Sequence, residues 1–403
     1  MSLEHSYARG VLPDARAAAR ALYGLAFRLL AVGSVGLLLF AFAGGGVTYM
    51  EGEYDKAVIG LFHAQQVSRT GVAPQPRDAP PDAAGGSGGR AAEWTYATPL
   101  TFTGACDGSA AVALDRVRIL SATDDDDTLR VYDALRGGPP LARVDADGVL
   151  GPTQPGKESD LEGVATLGDT VVWITSHGPN PEGKPRPNRY RLAAAALGRA
   201  GDAPPIGAPV GSHYDSLLAD MAREPALAPL VAGRARPPES AGAVNIEAVA
   251  PGAGGTLLIG FRNPVPNGRA QIVPLRNPLD VMRGRAPRFG PPIGLALGGR
   301  GLRDLAYWPE RRTYVLVAGP PGPTGTFGLY LWDGTAAGRA KPIRGLTWPA
   351  EFRPEGVVVV AGERERVLLL SDDGDRRDAG GRVCKELDGP ARSFRGAWLT
   401  VPR

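Results

Sequence analysis

The chain has 403 residues, with 56 Gly and 38 Pro. So turn-rich a composition points to short strands joined by tight connections, and all-β toroids commonly use more than about 250 residues as one unit. The 45 basic and 42 acidic residues are scattered, without an Arg/Lys stripe or interleaved aromatics, which argues against a nucleic-acid partner.

Leu29 to Met50 is an uncharged run of 22 residues, and a helix needs about 20 to cross a bilayer core. Arg9, Arg16, Arg20 and Arg28 precede it, and Glu51, Glu53 and Asp55 follow. The positive-inside bias then keeps the N-terminus cytoplasmic and sends the body across the membrane. Ala41-Phe42-Ala43 also resembles an A-x-A processing site, so a cleaved signal peptide is the alternative to an anchor. Both readings make the body extracytoplasmic, with the membrane engaged only through residues 1–50. Residues 51–92 read as a linker, and from Thr70 to Ala92 they are rich in Pro, Ala, Gly and Ser, the composition of a flexible tether.

From Glu93 to Arg403 one phrase recurs five times: a short apolar strand after a small or acidic residue, a turn, a longer apolar strand, then a loop and a third strand. It opens at Ser109, Glu162, Glu247, Asp304 and Glu355, with spacings of 53, 85, 57 and 51 residues. These intervals suit the blades of a β-propeller, five in number with six as the alternative. The long interval implies an insertion from about Leu197 to Gly242, with a helix expected over Ser212 to Met221 and packed outside the second blade. Second strands are expected at Val117–Ala122, Thr170–Thr175, Thr256–Phe261, Thr313–Ala318 and Val367–Leu370. Such nearly continuous apolar runs fit strands buried on both faces. Third strands are expected at Leu129–Tyr132, Arg189–Ala193, Ala270–Leu275, Phe327–Trp332 and Phe394–Val401. Outer strands are visible at Leu141–Val144, Ile293–Leu297 and Pro342–Thr347, but the last unit has none of its own. Pro99–Thr103 would supply it and close the ring, removing an open edge.

Several of these segments also carry a resemblance. Cys106 to Val112 (CDGSAAV), Asp124 to Tyr132 (DDDDTLRVY), DLEGVA, NIEAVA with Gly260 to Pro264, LRDLAY, and RPEGV with LSDDGD resemble a bacterial family known as domain of unknown function 3616. The resemblance covers nearly the whole body. It implies a propeller-like fold, distantly similar to proteins labelled for esterase-like activity of phytase type, and no established reaction. Ala248 departs from the pattern, because a Gly follows the acid in the second and fifth units.

In a propeller blade the start of the first strand and the end of the second meet at one mouth of the channel. That mouth should gather Glu162, Glu247, Asp304 and Glu355 with Asp124 to Asp127, Ser176, His177, Arg262, Asn263, Asp372 and Asp373. The functional reading of the four strand-start acids is a site for a hard cation, calcium for choice, since oxygen ligands suit it. The plain alternative is a set of latches in which each acid bonds backbone amides of its own or the next blade. Glu162, His177 and Glu355 are the candidates for catalysis, and Arg262, Asn263, Asp372 and Asp373 for holding a ligand. A lone His such as His177 is more often a surface or core residue than a catalyst, and Asp124 to Asp127 can equally form a solvated turn. With His177 and His213 as the body's histidines, a zinc site is hard to assemble. Cys106 and Cys384 fall in loops that ring closure brings to the same mouth, so a disulfide is expected between them, with two buried thiols as the alternative.

Two motif matches carry no weight. Gly85 to Gly89 fits G-x-S-x-G but lies in the tether, and Gly151 to Lys157 lacks the Ser/Thr of a P-loop because Glu158 stands there. Three roles follow: a cation-dependent esterase or phosphoesterase with Arg262 holding an anion, a non-catalytic module presenting its mouth to a small molecule, polymer or protein, and a purely structural propeller.

Overall fold

The structure, a computed structural model, describes residues 94–151, 157–198 and 205–401. The expected anchor or signal segment and the whole of the linker lie outside these residues. Two short strands open the described region, β1 (Thr95–Tyr96) and β2 (Leu100–Thr103). The first blade follows as β3 (Ala110–Ala113), β4 (Arg118–Ala122), β5 (Thr128–Asp133) and β6 (Ala142–Asp145), and the second as β7 (Leu161–Leu167), β8 (Thr170–Thr175), β9 (Leu192–Leu197) and β10 (Ile206–Pro209). The third comprises β11 (Asn245–Pro251), β12 (Leu257–Asn263), β13 (Ala270–Leu275) and β14 (Ile293–Leu295), and the fourth β15 (Gly301–Trp308), β16 (Thr313–Gly319), β17 (Gly328–Trp332) and β18 (Lys341–Pro342). The fifth has β19 (Pro354–Val358), β20 (Arg366–Ser371) and β21 (Ser393–Thr400), with β1 and β2 pairing antiparallel to β21 as its outer edge. Five antiparallel sheets thus form a five-bladed propeller, and the N-terminal strand closes it on the last blade.

The apolar second strands follow from how the core is divided. Buried side chains form five clusters, one at each seam between neighbouring blades. Along β8, Val171 and Trp173 face the seam with the first blade, whereas Val172 and Ile174 face the seam with the third. Both faces of the strand are therefore buried, and alternation between apolar and polar residues disappears.

Several expected elements differ. The third strand of the second blade begins at Leu192 rather than Arg189, because Pro187–Arg189 forms a 3-10 turn. Its outer strand, β10, falls inside the expected insertion, where Ile-Gly-Ala-Pro, exposed except at Ile206, gives a weak strand signal that suits only an edge. The fourth blade's outer strand is just Lys341–Pro342. The inserted helix is one short piece, Leu217–Met221, soon followed by Pro225, and its Leu217, Leu218 and Met221 sit in the seam between the second and third blades.

The first strands carry a feature with direct bearing on the site. In β7, β11, β15 and β19 the register slips by one residue against the next strand. The extra residues are Glu162, Glu247, Arg303 and Glu355. A bulge at the same place in four blades re-aims those side chains at the mouth. The residue after each bulge is Gly163, Ala248, Asp304 and Gly356, so Asp304 is the counterpart of the glycines and not of the glutamates. At Gly163 an added Cβ would come within 2.9 Å of Ile174 Cγ2, which explains that glycine. Ala248 is accommodated because Gly260 stands opposite it; a Cβ on Gly260 would lie 2.8 Å from the Ala248 methyl.

Candidate functional site

At the mouth, Glu162, Glu247 and Glu355 come together from three blades, with one carboxylate oxygen from each within 4.8 Å of the other two. All three are buried, and so is Arg303 from the fourth blade. Arg303 Nη1 lies 3.0 Å from Glu247 Oε2, and Nη2 donates to Glu355 Oε1. Glu247 is held further by Arg262 Nη1 at 3.0 Å and by Asn245 Nδ2 at 2.8 Å. Glu162 differs from its two neighbours. It makes no hydrogen bond or ion pair with any described residue, although it is only 7% exposed. Burial, then the charges of Glu247, Asp160 and Asp124, push its pKa well above the usual carboxylate range.

Charged pairs flank this group. Arg189 binds Glu158 at 2.6 Å and Asp160 at 2.9 Å; desolvation raises the Asp160 pKa to about 6 in spite of that partner. Asp124 and Asp125 from the first blade meet Lys385 from the last at 3.4 and 2.9 Å. Asp107 beneath them accepts from Thr123 Oγ1 at 2.6 Å and Ser109 Oγ at 2.7 Å. Its complete burial puts its pKa well above normal. Cys106 and Cys384, one step from Asp107 and Lys385, are joined as a disulfide with Cα atoms 5.7 Å apart. It ties the first blade to the last beside the mouth.

Other expected site residues have structural partners instead. Asp304 does not join the carboxylate group: one oxygen accepts from its neighbour Leu305 N and the other from Val357 N in the next blade, both at 2.7 Å. It latches the fourth blade to the fifth, because the bulge put Arg303 where the acid was expected. Arg262 has no arm left for an anion, since it also donates to Glu239, Pro320 O and Gly322 O. Asn263 donates to Pro238 O and Ser240 O, pinning the inserted loop. Asp373 is clamped by Arg395 at 2.7 and 2.8 Å and by Ser371 Oγ at 2.9 Å. Asp372 accepts from Gly374 N at 2.9 Å in a local turn.

His177 is a core residue. It is fully buried, its Nδ1 lies 2.8 Å from Thr175 O, and its ring meets Tyr190 edge-on. Desolvation lowers its pKa to about 4. Ser176 is buried beneath it, accepting at Oγ from Gly178 N. Of the Asp run, Asp126 pairs with Arg130 at 2.6 Å, and Asp127 latches the first two blades through Ser159 N at 2.9 Å. Arg303, Asp160, Arg189 and Lys385 are the members that sequence reasoning missed. For Arg303 the signal was present in LRDLAY, one position before the aspartate that was aligned to the acids.

No family model matches the chain, and no curated protein matches it. Among solved structures, the chain is similar to Myxococcus xanthus glutaminyl cyclase, at 11% identity over 77% of this chain and 98% of that one, with a TM-score of 0.39. It is also similar to streptogramin B lyase, at 8% identity over 75% and 98% with a TM-score of 0.34. A protein of unknown function from Bacteroides caccae aligns at 10% identity over 66% and 71%, with a TM-score of 0.30. At these scores the likenesses carry no argument about the chemistry of the mouth.

Proposed function

We propose that the channel mouth is the active site of a hydrolase acting on an uncharged carboxylic ester, with Glu162 as the group that gives and takes the proton. The supporting observation is Glu162 itself: a buried carboxyl without a hydrogen-bond or ion-pair partner among the described residues, beside two others that hold guanidinium partners. Burial raises its pKa, which favours the protonated form that a general acid requires. Two carboxyl groups close together in contrasting surroundings divide the labour, one carrying the proton and the other answering positive charge.

The arginines argue against phosphate esters. Arg262 and Arg303 are already paired with carboxylates, so an anionic substrate would meet the negative charge of the glutamates. Calcium would find oxygen ligands in Glu162, Glu247 and Glu355. Arg303 already brings positive charge into that group, so the proton-transfer role is assigned independently of a metal. The second reading is a non-catalytic module for a cationic ligand, favoured by Glu162 and the Asp124–Asp125 pair at one mouth. We place either role outside the cytoplasm, on the charge asymmetry about Leu29 to Met50 and on the disulfide.

The test is turnover of p-nitrophenyl acetate, butyrate and phosphate by the full chain and by Glu162→Gln, each with calcium and with a chelator. The carboxylic esters should be hydrolysed and the phosphate spared, and Glu162→Gln should lower kcat by roughly 10²- to 10⁴-fold. That variant should melt no lower than the parent above neutral pH, since it removes a destabilised charge. Absence of turnover with every ester sinks the hydrolase and leaves the binding module; loss of turnover with the chelator, restored by calcium, reinstates the metal.

A further inference from the structure

Below the layer of Glu162, Glu247, Arg303 and Glu355, the central channel changes character. The first strands of all five blades line a cavity of about 210 Å³ that runs from the level of Asp304 towards the opposite face. Its walls are mainly Ala, Val and Pro, among them Val112, Ala165, Val249, Ala306 and Val357, with Thr166 and Tyr307 beside them, and Asp304 is the one carboxylate among the described lining residues. A dry cavity of about 150 Å³ can hold a benzene molecule, so this one has room for one ring and a few further atoms. Water gains little along most of it, because a buried water needs two to four polar partners and the walls are mostly apolar.

Asp304 is placed to recognise a polar end. Each of its oxygens accepts one backbone N–H, from Leu305 and from Val357, both at 2.7 Å. A carboxylate oxygen has two lone pairs, so one on each oxygen is left for a donor. The two amides also fix the carboxylate in place, and a donor entering the channel meets a preset acceptor at the end of an apolar tube.

We propose that this lower half of the channel is a binding site for a small apolar molecule carrying one primary ammonium group, with the apolar body against the Ala/Val walls and the ammonium on Asp304. Anions are disfavoured by the carboxylate, and polymers by the volume. The site is separate from the hydrolase reading and uses none of its residues.

The probe is 2-phenylethylamine, titrated calorimetrically into the full chain, with 2-phenylethanol as the uncharged isostere. The amine should bind at least ~10-fold more tightly than the alcohol, the scale of one charge-assisted hydrogen bond in a confined site. Ala306→Phe, which fills the tube, should abolish amine binding while leaving ester turnover and melting temperature near those of the parent. Glu162→Gln should leave amine binding unchanged, which separates this site from the acidic mouth. Asp304→Asn should erase the preference for amine over alcohol, and should it fail to fold, the amine-to-alcohol ratio and Ala306→Phe still decide. Equal binding of the two probes, no binding of the amine at ~10 mM, persistence of binding in Ala306→Phe, or its loss in Glu162→Gln would each overturn the proposal.

Discussion

At the scale of single residues, the mouth is governed by which carboxylates have a cation. Glu247 and Glu355 share Arg303, so removing it leaves buried charge without compensation. Arg303→Gln should destabilise the protein by about 3–5 kcal/mol, the usual cost of breaking a buried pair from one side. The loss, read from urea unfolding, should be larger at pH 8 than at pH 5, because protonation relieves the uncompensated acids. An effect below ~1 kcal/mol at both pH values would mean that the guanidinium is not the counter-ion of this group. Glu162, Glu247 and Glu355 were legible in the sequence because each stands just before a recurring apolar run. Arg303 was not, because aligning the fourth unit by its acid hid the one-residue shift that the bulge introduces.

At the scale of elements, the ring depends on what joins the last blade to the first. Hydrogen bonds of β1 and β2 to β21 make one join, and the Cys106–Cys384 disulfide, spanning 278 residues, makes another. In the chain-entropy picture, closing so long a loop restricts the unfolded chain enough to stabilise the fold by on the order of 5 kcal/mol. Replacing both cysteines by serine should lower the urea midpoint accordingly, and the parent treated with reductant should shift towards the variant. Two thiols titrating in the unfolded, unreduced parent would show that the bond does not form. The strand β2 was readable as Pro99–Thr103, since an apolar strand without a blade and a blade without an outer strand complement each other. The inserted segment was less readable: β10 is a small-residue edge strand, and the helix is only Leu217–Met221. Tertiary burial in a seam, not propensity, decides both.

For the whole molecule, buried acids set how stability varies with pH. Burial raises the Asp304 pKa to about 7 and the Asp160 pKa to about 6, and that of Glu162 well above normal. A raised acid binds its proton more tightly when folded, so its contribution is complete below the unfolded pKa and is lost as pH rises through the folded one. His177, lowered to about 4, works in the opposite sense and only below its unfolded value, since its contribution is lost as pH falls. Above about pH 6.5 the acids therefore act alone. Stability should fall between pH 6 and pH 8 by on the order of 1–2 kcal/mol, most of it absent in Asp304→Asn. A flat or rising profile over that window contradicts the burial of these groups.

The proposed location outside the cytoplasm is also a property of the whole chain. An alkaline phosphatase fused after Arg90 should be active and a cytoplasmic reporter silent; the reverse pattern removes the oxidising compartment on which the disulfide depends.

The sequence by itself determined the ring. Five repeats of paired apolar runs, the interruption in the second and the stray strand at Pro99–Thr103 are local or periodic signals, and seam burial on both faces of a strand writes them plainly along the chain. Only the tertiary structure decided what each polar residue at the mouth does. Arg262, Asn263, Asp373 and Asp304 read as free ligand groups in one dimension, but each is bonded to a segment distant along the chain or contributed by another blade. A hydrogen-bond partner supplied by a distant loop leaves no periodic trace, and a bulge shifts register without altering composition. The site therefore took its members from the repeat and its chemistry from the packing.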